Sequence, residues 1–577
     1  MADNDFNFNH KDKENVIYTV TANCQDCYRC VRVCPVKAIR VNNGQAYIED
    51  ELCIKCGTCV RECPQGAKTI RSSVDDVKEL LSSGRKVAIS VAPSFPALFK
   101  GWRSSRLPSA LRLLGFAHVS ETAEGAQAVA EKAFEVRDRG KICTACPAVV
   151  NYIEKYKTEH VDKLMPIVSP MIAHGRILKK RLGEDWAVVF AGPCAAKKDE
   201  AMRPEHYGII DAVLTFSELT EWMKEEGIDL ATCPESGFES RGDLHLARLF
   251  PLEGGMLKAG KVSYDGTDAD VLCLSGDENV TELLNMSSGE WGYNIVEPLF
   301  CAGGCVNGPC MPCEKNYFIK KQDLLEFAGG NPVTFKSRGD DEVDCYTDFA
   351  GKPAIDDSQD VSEEKINAIL EETGKSDPLL QLNCGACGYK TCRENAIAVA
   401  RGMAEPDMCM PYMRRLAQQR TDIITETSPN GIVMIDDHLH IIHMNPAFQK
   451  LFSCNNSLLG RHVSCVLDVD SYEHMANGNM TTRDSIRVKD GIKYHEIVYA
   501  LPDEKQYVGI YTDVSDLKFD DGEIDAFKNQ TLEHVRKLLY HQINFSQEMA
   551  HYLGKSTAES EELVKKITNI NSGEKPL

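Results

Sequence analysis

The chemistry of this chain begins at Cys301-Ala302-Gly303-Gly304-Cys305, where two thiols sit four residues apart with two glycines before the second. Thiolates bind soft metals, and an iron–sulfur cluster takes four of them. Glycine lets a backbone approach a bulky inorganic body closely. The pair is half of a cluster site. Lone cysteines upstream complete it only if the fold brings them in. The candidates are Cys146, in Cys143-Thr144-Ala145-Cys146-Pro147, and Cys194, in Gly192-Pro193-Cys194-Ala195-Ala196-Lys197-Lys198-Asp199-Glu200. Free cysteine is among the most buried residue types, so scattered core thiols are the competing reading.

Taken together, Cys-Pro, then Pro-Cys-x-x-Lys-x-x-Glu, then Glu297-x-x-x-Cys301-x-Gly-Gly-Cys305 resembles the three signatures of the iron-only (FeFe) hydrogenase large subunit. Ala92-Pro93-Ser94 and Ser169-Pro170 resemble pieces of that family's active-site wall. The resemblance implies an H-cluster: a 4Fe–4S cubane on Cys146, Cys194, Cys301 and Cys305, with Cys305 also bridging to a di-iron azadithiolate unit that carries CO and cyanide. It implies H2 and protons as substrates, and maturation proteins as partners. Lys197 would donate to one cyanide, because an ammonium has three donors and no acceptor.

The departures from the family pattern matter as much. Ala145 stands where the fast enzymes carry the cysteine that passes protons towards a glutamate, here matched by Glu200. A methyl group has no exchangeable proton, so that relay is cut at its first protein step. Gly192 and Leu299 replace methionines, Met171 replaces a glutamine, and Met165 takes a further hydroxyl position of the relay. Changes beside a cofactor alter its packing, hydrogen bonding and potential. Cys143 is a spare thiol three residues before Cys146, read as buried structure rather than as a substitute.

These residues need elements to hold them. Val87–Val91 and Trp186–Phe190 read as buried parallel strands, each running into a family-matching loop. Ligands of open α/β sheets sit beyond the carboxyl ends of strands, which is where these loops fall. The expected fold class is multidomain α/β and α+β. Its parts are a two-cluster ferredoxin domain (16–75), an α/β H-cluster domain (80–337), an acidic linker (338–360), a small helical four-cysteine domain (361–413), a PAS domain (425–517) and a C-terminal helix (524–570).

Three accessory 4Fe–4S clusters follow from the cysteine runs. Cys24-x2-Cys27-x2-Cys30-x3-Cys34-Pro35 recurs as Cys53-x2-Cys56-x2-Cys59-x3-Cys63-Pro64. In bacterial two-cluster ferredoxins the fourth cysteine of each run serves the other cluster. One cluster would take Cys24, Cys27, Cys30 and Cys63, and the other Cys34, Cys53, Cys56 and Cys59. Cys384-x2-Cys387-x4-Cys392 with Cys409 resembles the small helical iron–sulfur domain found beside hydrogenases, with zinc as the alternative. Cys310 and Cys313 lack an evident completing pair, and Cys233, Cys273 and Cys345 read as structural.

From Ser428 onwards the strand order resembles a PAS sensory domain. His438, His440 and His443 suggest haem only weakly: the first two are expected to share an exposed strand face. Apolar residues between Leu532 and Leu553 recur near helical period, as in a homodimer seam. The net charge of −21 argues against a nucleic-acid surface, and no apolar run is long enough for a membrane span. The charged N-terminus is not of signal-peptide type, so a cytoplasmic protein is expected.

The functional expectation is a sensory iron-only hydrogenase that turns over slowly and reversibly. It would pass redox state through its clusters and PAS domain to a separate kinase, phosphatase or regulator. A metabolic hydrogenase exchanging electrons with a carrier such as ferredoxin is the first alternative. A non-catalytic hydrogenase-like iron–sulfur assembly protein is the second.

Overall fold

A computed structural model describes residues 15–136, 141–261, 270–286, 291–312, 315–330, 342–349, 361–477, 482–501 and 505–515. The chain divides into two compact units, Met1–Met410 and Pro411–Leu577.

The first unit opens with the two cysteine runs, held between short antiparallel ladders. β1 (Ile17–Thr19) pairs β4 (Lys68–Ile70), and β2 (Ile39–Asn42) pairs β3 (Gln45–Ile48). Buried Lys68 ties the ladders together: its Nζ donates to Thr19 Oγ1 in its own ladder at 2.6 Å and to the Ala46 carbonyl of β3 in the other.

Two parallel sheets follow. One has the order β6 (His118–Glu121), β5 (Val87–Val91), β8 (Ala187–Gly192), β9 (Ala212–Thr215). All residues of β5 and β8 are buried, as expected of near-continuous apolar strands covered on both faces by helices. The other sheet has the order β10 (Val271–Ser275), β11 (Ile295–Leu299), β7 (Lys141–Ile142).

The acidic linker is not a free connector throughout. Arg176 donates to the carbonyls of Asp344 and Tyr346, Tyr346 bridges Ile167, and Cys345 is buried. Satisfied backbone groups therefore tie 342–349 to the parallel-sheet domain. The rest of the linker, except for 342–349, lies outside the described residues.

Two buried ion pairs brace the first sheet. Arg248 grips Glu121 at the end of β6 with bonds of 2.8 and 2.6 Å. Removing one partner of a buried pair leaves an uncompensated charge. Glu121→Ala is therefore expected to lower unfolding stability by about 3–5 kcal/mol in denaturant melts. Glu121→Met combined with Arg248→Met recovers much of that loss.

Glu124 sits beside His174 and Arg181, with Arg181 Nη2 at 2.5 Å. Burial raises its pKa, but hydrogen bonds from His174 and Arg181 outweigh this and hold the carboxyl at about 2 against an ordinary 4.5. A depressed folded value gives stability that is complete above the unfolded pKa and is lost as pH falls from 4.5 through 2. The loss is about 3 kcal/mol across that window. Arg181→Gln should flatten the acid slope when both proteins are melted at pH 6 and pH 3.

In the second unit one antiparallel sheet has the order β13 (Ile441–Met444), β12 (Gly431–Asp436), β16 (Gln506–Asp513), β15 (Ile492–Leu501), β14 (Thr482–Lys489). Its covered face is aromatic: Phe448, Tyr472, Tyr494 and Tyr511 are fully buried. Among them lies buried Glu496, which accepts from Ser471, Tyr511 and Arg487. His438 and His440 do not share a strand face. They flank the turn between β12 and β13, held by backbone donation to the Asp436 carboxylate. The proposed C-terminal helix and seam lie outside the described residues. Among the described residues no helix is long and apolar enough to cross a membrane.

Candidate metal centre

The two parallel sheets aim their carboxyl ends at one cavity. β5 runs into Ala92-Pro93-Ser94, β6 into Thr122, β7 into Ala145-Cys146, β8 into Pro193-Cys194, and β11 into Phe300-Cys301, and all of these line it. Strand direction alone thus gathers segments scattered over more than two hundred residues of chain.

Cys146 caps the helix Pro147–Tyr156, and Cys194 precedes the helix Ala196–Ala201. Cys305 opens a short 3-10 turn, and Cys301 ends the loop after β11. The four thiols lie in one another's electrostatic field. Burial pushes Cys194 up to about 12 and likewise raises Cys301 and Cys305 above the ordinary thiol range. Such thiols shed their protons to a metal, not to water. Gly304 has φ +89°, and a Cβ there would overlap Pro251 O. The loop before Cys305 therefore closes only with glycine.

Two buried hydroxyls test whether a polar cofactor fits. Ser94 Oγ and Ser169 Oγ have no hydrogen-bond partner within the protein, and Ser94 faces the cavity. Buried polar groups are rarely left unpaired. Ser94, on the wall, suits a cofactor that brings acceptors of its own. The charge suits it as well: Lys197 is the one charged side chain among the described residues on the wall. Its Nζ donates to Glu200 Oε2 at 2.7 Å and to Ala145 O at 3.3 Å. Lys197, Glu200 and Ala145 are thus brought together.

Met171 and Leu299 line the cavity. Gly192 acts less directly, since a Cβ there would meet the Phe190 ring, which fills the space and forms part of the wall. Phe190 and Phe250 are wall residues that motif reading missed, having no chemical signature of their own. Among the described residues the wall includes Ala145 but not Cys143 or Met165, which are buried in the core. Glu297 is also buried. Burial pushes its carboxyl up to about 7, while Met256 N donates to it at 3.0 Å. Cys273, expected to be purely structural, lies 3.5 Å from that carboxylate.

The ferredoxin runs cross over. Cys30 lies in the field of Cys24, Cys27 and Cys63, and Cys59 in that of Cys53, Cys56 and Cys34. Cys56 also lines the cavity and lies in the field of Cys301. In the third set Cys387 lies in the field of Cys409 and Cys384, while Cys392 opens the helix Cys392–Ala400. Cys310 is buried near Cys194, and Cys313 lies outside the described residues. Among the described residues no three His, Cys, Asp or Glu side chains close to the spacing of a single-ion site. The cysteine sets are read as cradles for larger inorganic bodies.

Four family models match this chain: iron only hydrogenase large subunit, C-terminal domain, over 85–309; 4Fe-4S dicluster domain over 16–78; putative Fe-S cluster over 379–411; and PAS domain over 417–486. The chain is 27% identical over 392 residues to NADP-reducing hydrogenase subunit HndD of Solidesulfovibrio fructosivorans, covering 57% of this chain and 63% of the relative. It is 29% identical over 375 residues to the periplasmic Fe hydrogenase large subunit of Nitratidesulfovibrio vulgaris, covering 52% and 88%. A segment of 97 residues is 39% identical to the cytosolic Fe-S cluster assembly factor NAR1 of Vanderwaltozyma polyspora, covering 16% and 18%. The match thus spans less than two thirds of the first of these relatives.

Proposed function

From a chain that carries an iron-only hydrogenase-like large-subunit domain, iron–sulfur domains and a PAS domain, we propose a sensory hydrogenase that binds and slowly, reversibly oxidises H2. The observation that carries this reading is the cavity wall: four gathered thiols, one cation, the unpartnered hydroxyl of Ser94, and alanine where a proton-carrying thiol would stand. Cys146, Cys194, Cys301 and Cys305 would hold the cubane of an H-cluster, with Cys305 shared by the di-iron unit. When bound, that cofactor supplies the open iron site and the bridging amine for heterolytic cleavage of H2.

The chain's own residues set how well this works. Lys197 presents an ammonium to anionic ligands, and Glu200 holds it in place at 2.7 Å. Phe190, Phe250, Met171 and Leu299 exclude water from the wall. Ala145 leaves the path from the cavity towards Glu200 without a thiol at that position, so the wall ammonium of Lys197 is the titratable side chain beside it. The accessory sets carry electrons, and the PAS unit hands the resulting state to a separate signalling protein, within a homodimer.

The segment shared with an assembly factor favours a second reading, a non-catalytic iron–sulfur protein. Fully matured protein should contain three accessory 4Fe–4S clusters plus the six irons of the H-cluster, with CO and cyanide bands in the infrared. Iron for the accessory sites alone, without those bands, would establish the second reading instead.

A further inference from the structure

The small four-cysteine domain is docked firmly on the ferredoxin domain, at the helix between two of its cysteines. Lys37 Nζ donates to Gly388 O at 2.8 Å and to Val31 O at 2.9 Å. Arg32 donates to Ala386 O at 3.3 Å and to Cys27 O at 3.0 Å. The Glu405 carboxylate accepts from the amides of Asn43 and Gly44 at 2.7 and 3.2 Å. Gly388 has φ +95°, and a Cβ there would lie 2.8 Å from Val31. The loop that carries Cys384 and Cys387 is therefore pinned through its own carbonyls.

Tyr389 lies inside this junction. It is 5% exposed, and its hydroxyl has no hydrogen-bond partner within the protein. The phenol sits in the field of Cys387, from the third set, and of Cys34, from the second ferredoxin set. Lys37 Nζ stands 6.0 Å from the ring centre. On the far side of the second set, Cys56 lines the catalytic cavity. In the third set, buried Lys375 donates to Cys409 Sγ at 2.8 Å. A cation beside a cluster ligand favours the more negative, reduced state.

We propose that Tyr389 couples the third cysteine set to the Cys34 corner of the second ferredoxin set. The second set is then a branch point between the catalytic cavity and the small helical domain. This rests on the reading above that all three accessory sets hold clusters. Each transfer moves one electron: the second cluster is oxidised by one electron as the third is reduced by one, and no bond or proton changes hands. The electron comes from H2 or, in the test below, from dithionite. The unpartnered hydroxyl is placed to donate to cluster sulfur, and Lys375 favours reduction of the third cluster.

The test uses the full chain with accessory clusters reconstituted and no di-iron unit, titrated with dithionite and followed by electron paramagnetic resonance. The reduced third cluster should show splitting and fast relaxation from a spin-coupled neighbour. Cys53→Ser, which disrupts the second cluster, should abolish that coupling, whereas Cys24→Ser, which disrupts the first, should leave it intact. Tyr389→Phe should retain iron content and coupling but shift the midpoint of the second or third cluster to lower potential. Coupling that survives Cys53→Ser and disappears in Cys24→Ser overturns the proposal. So does a Tyr389→Phe protein with unchanged midpoints. Wild-type protein that binds iron only at the ferredoxin sets refutes instead the three-cluster reading on which this rests.

Discussion

Ala145→Cys is expected to raise hydrogen turnover by about 10²-fold, which corresponds to about 3 kcal/mol of barrier. Position 145 lies on the cavity wall, and its carbonyl already accepts from Lys197 at 3.3 Å. Lys197 in turn holds Glu200 at 2.7 Å, so a thiol at 145 would add a proton carrier on the wall beside the Lys197–Glu200 pair. Positioned proton donors contribute about 10²–10⁴-fold, and the lower end is expected here. Met171, Leu299 and the Phe190 ring still shape the wall, and none of them carries an exchangeable proton. The check is hydrogen evolution with the cofactor content of both proteins matched by infrared bands. If the variant matures fully and shows no gain under proton-limited conditions, the missing thiol is not the main brake. Wall packing around the cofactor would then be what limits the rate.

Lys197→Met is expected to abolish loading of the di-iron unit, and with it all turnover, while the cubane and accessory clusters remain. Lys197 is the one charged side chain among the described wall residues, so no neighbour replaces its attraction for anionic ligands. The substitution also leaves Glu200 buried without its ammonium partner, which opposes an incoming anionic unit. A buried charge without a partner costs several kcal/mol. The readout is iron content against CO and cyanide bands. Full iron for four cubanes with no such bands is the expected result. Normal bands in Lys197→Met would remove Lys197 from the binding site. Lys197→Arg keeps the charge but not the compact ammonium, and should load only in part.

Legibility in the sequence followed the range of the signal. The ferredoxin runs were readable because their ligands lie within a few residues of each other, and the structure crosses them over as that spacing implies. β5 and β8 were readable because each is a continuous apolar run leading into a motif. The second parallel sheet was not. β7 is two residues long, and its partners lie more than a hundred residues away. Phe190 escaped notice because its place on the wall depends on the missing side chain of Gly192. The tie between 342–349 and the parallel-sheet domain escaped because acidic composition masks backbone bonds made to Arg176. Lys375 and Tyr389 carry no motif, and their meaning comes only from the thiols that the fold brings beside them.

The apolar wall has one more consequence, for gas selectivity. A small diatomic gains little from hydrogen bonds or charge, and a lining of Phe190, Phe250, Met171, Leu299 and several prolines and alanines treats such molecules alike. It favours them over water without sorting one from another. Carbon monoxide and dioxygen should therefore reach the same space as hydrogen. Discrimination then falls to the reactivity of whatever metal stands there, and to any restriction on access between solvent and the wall.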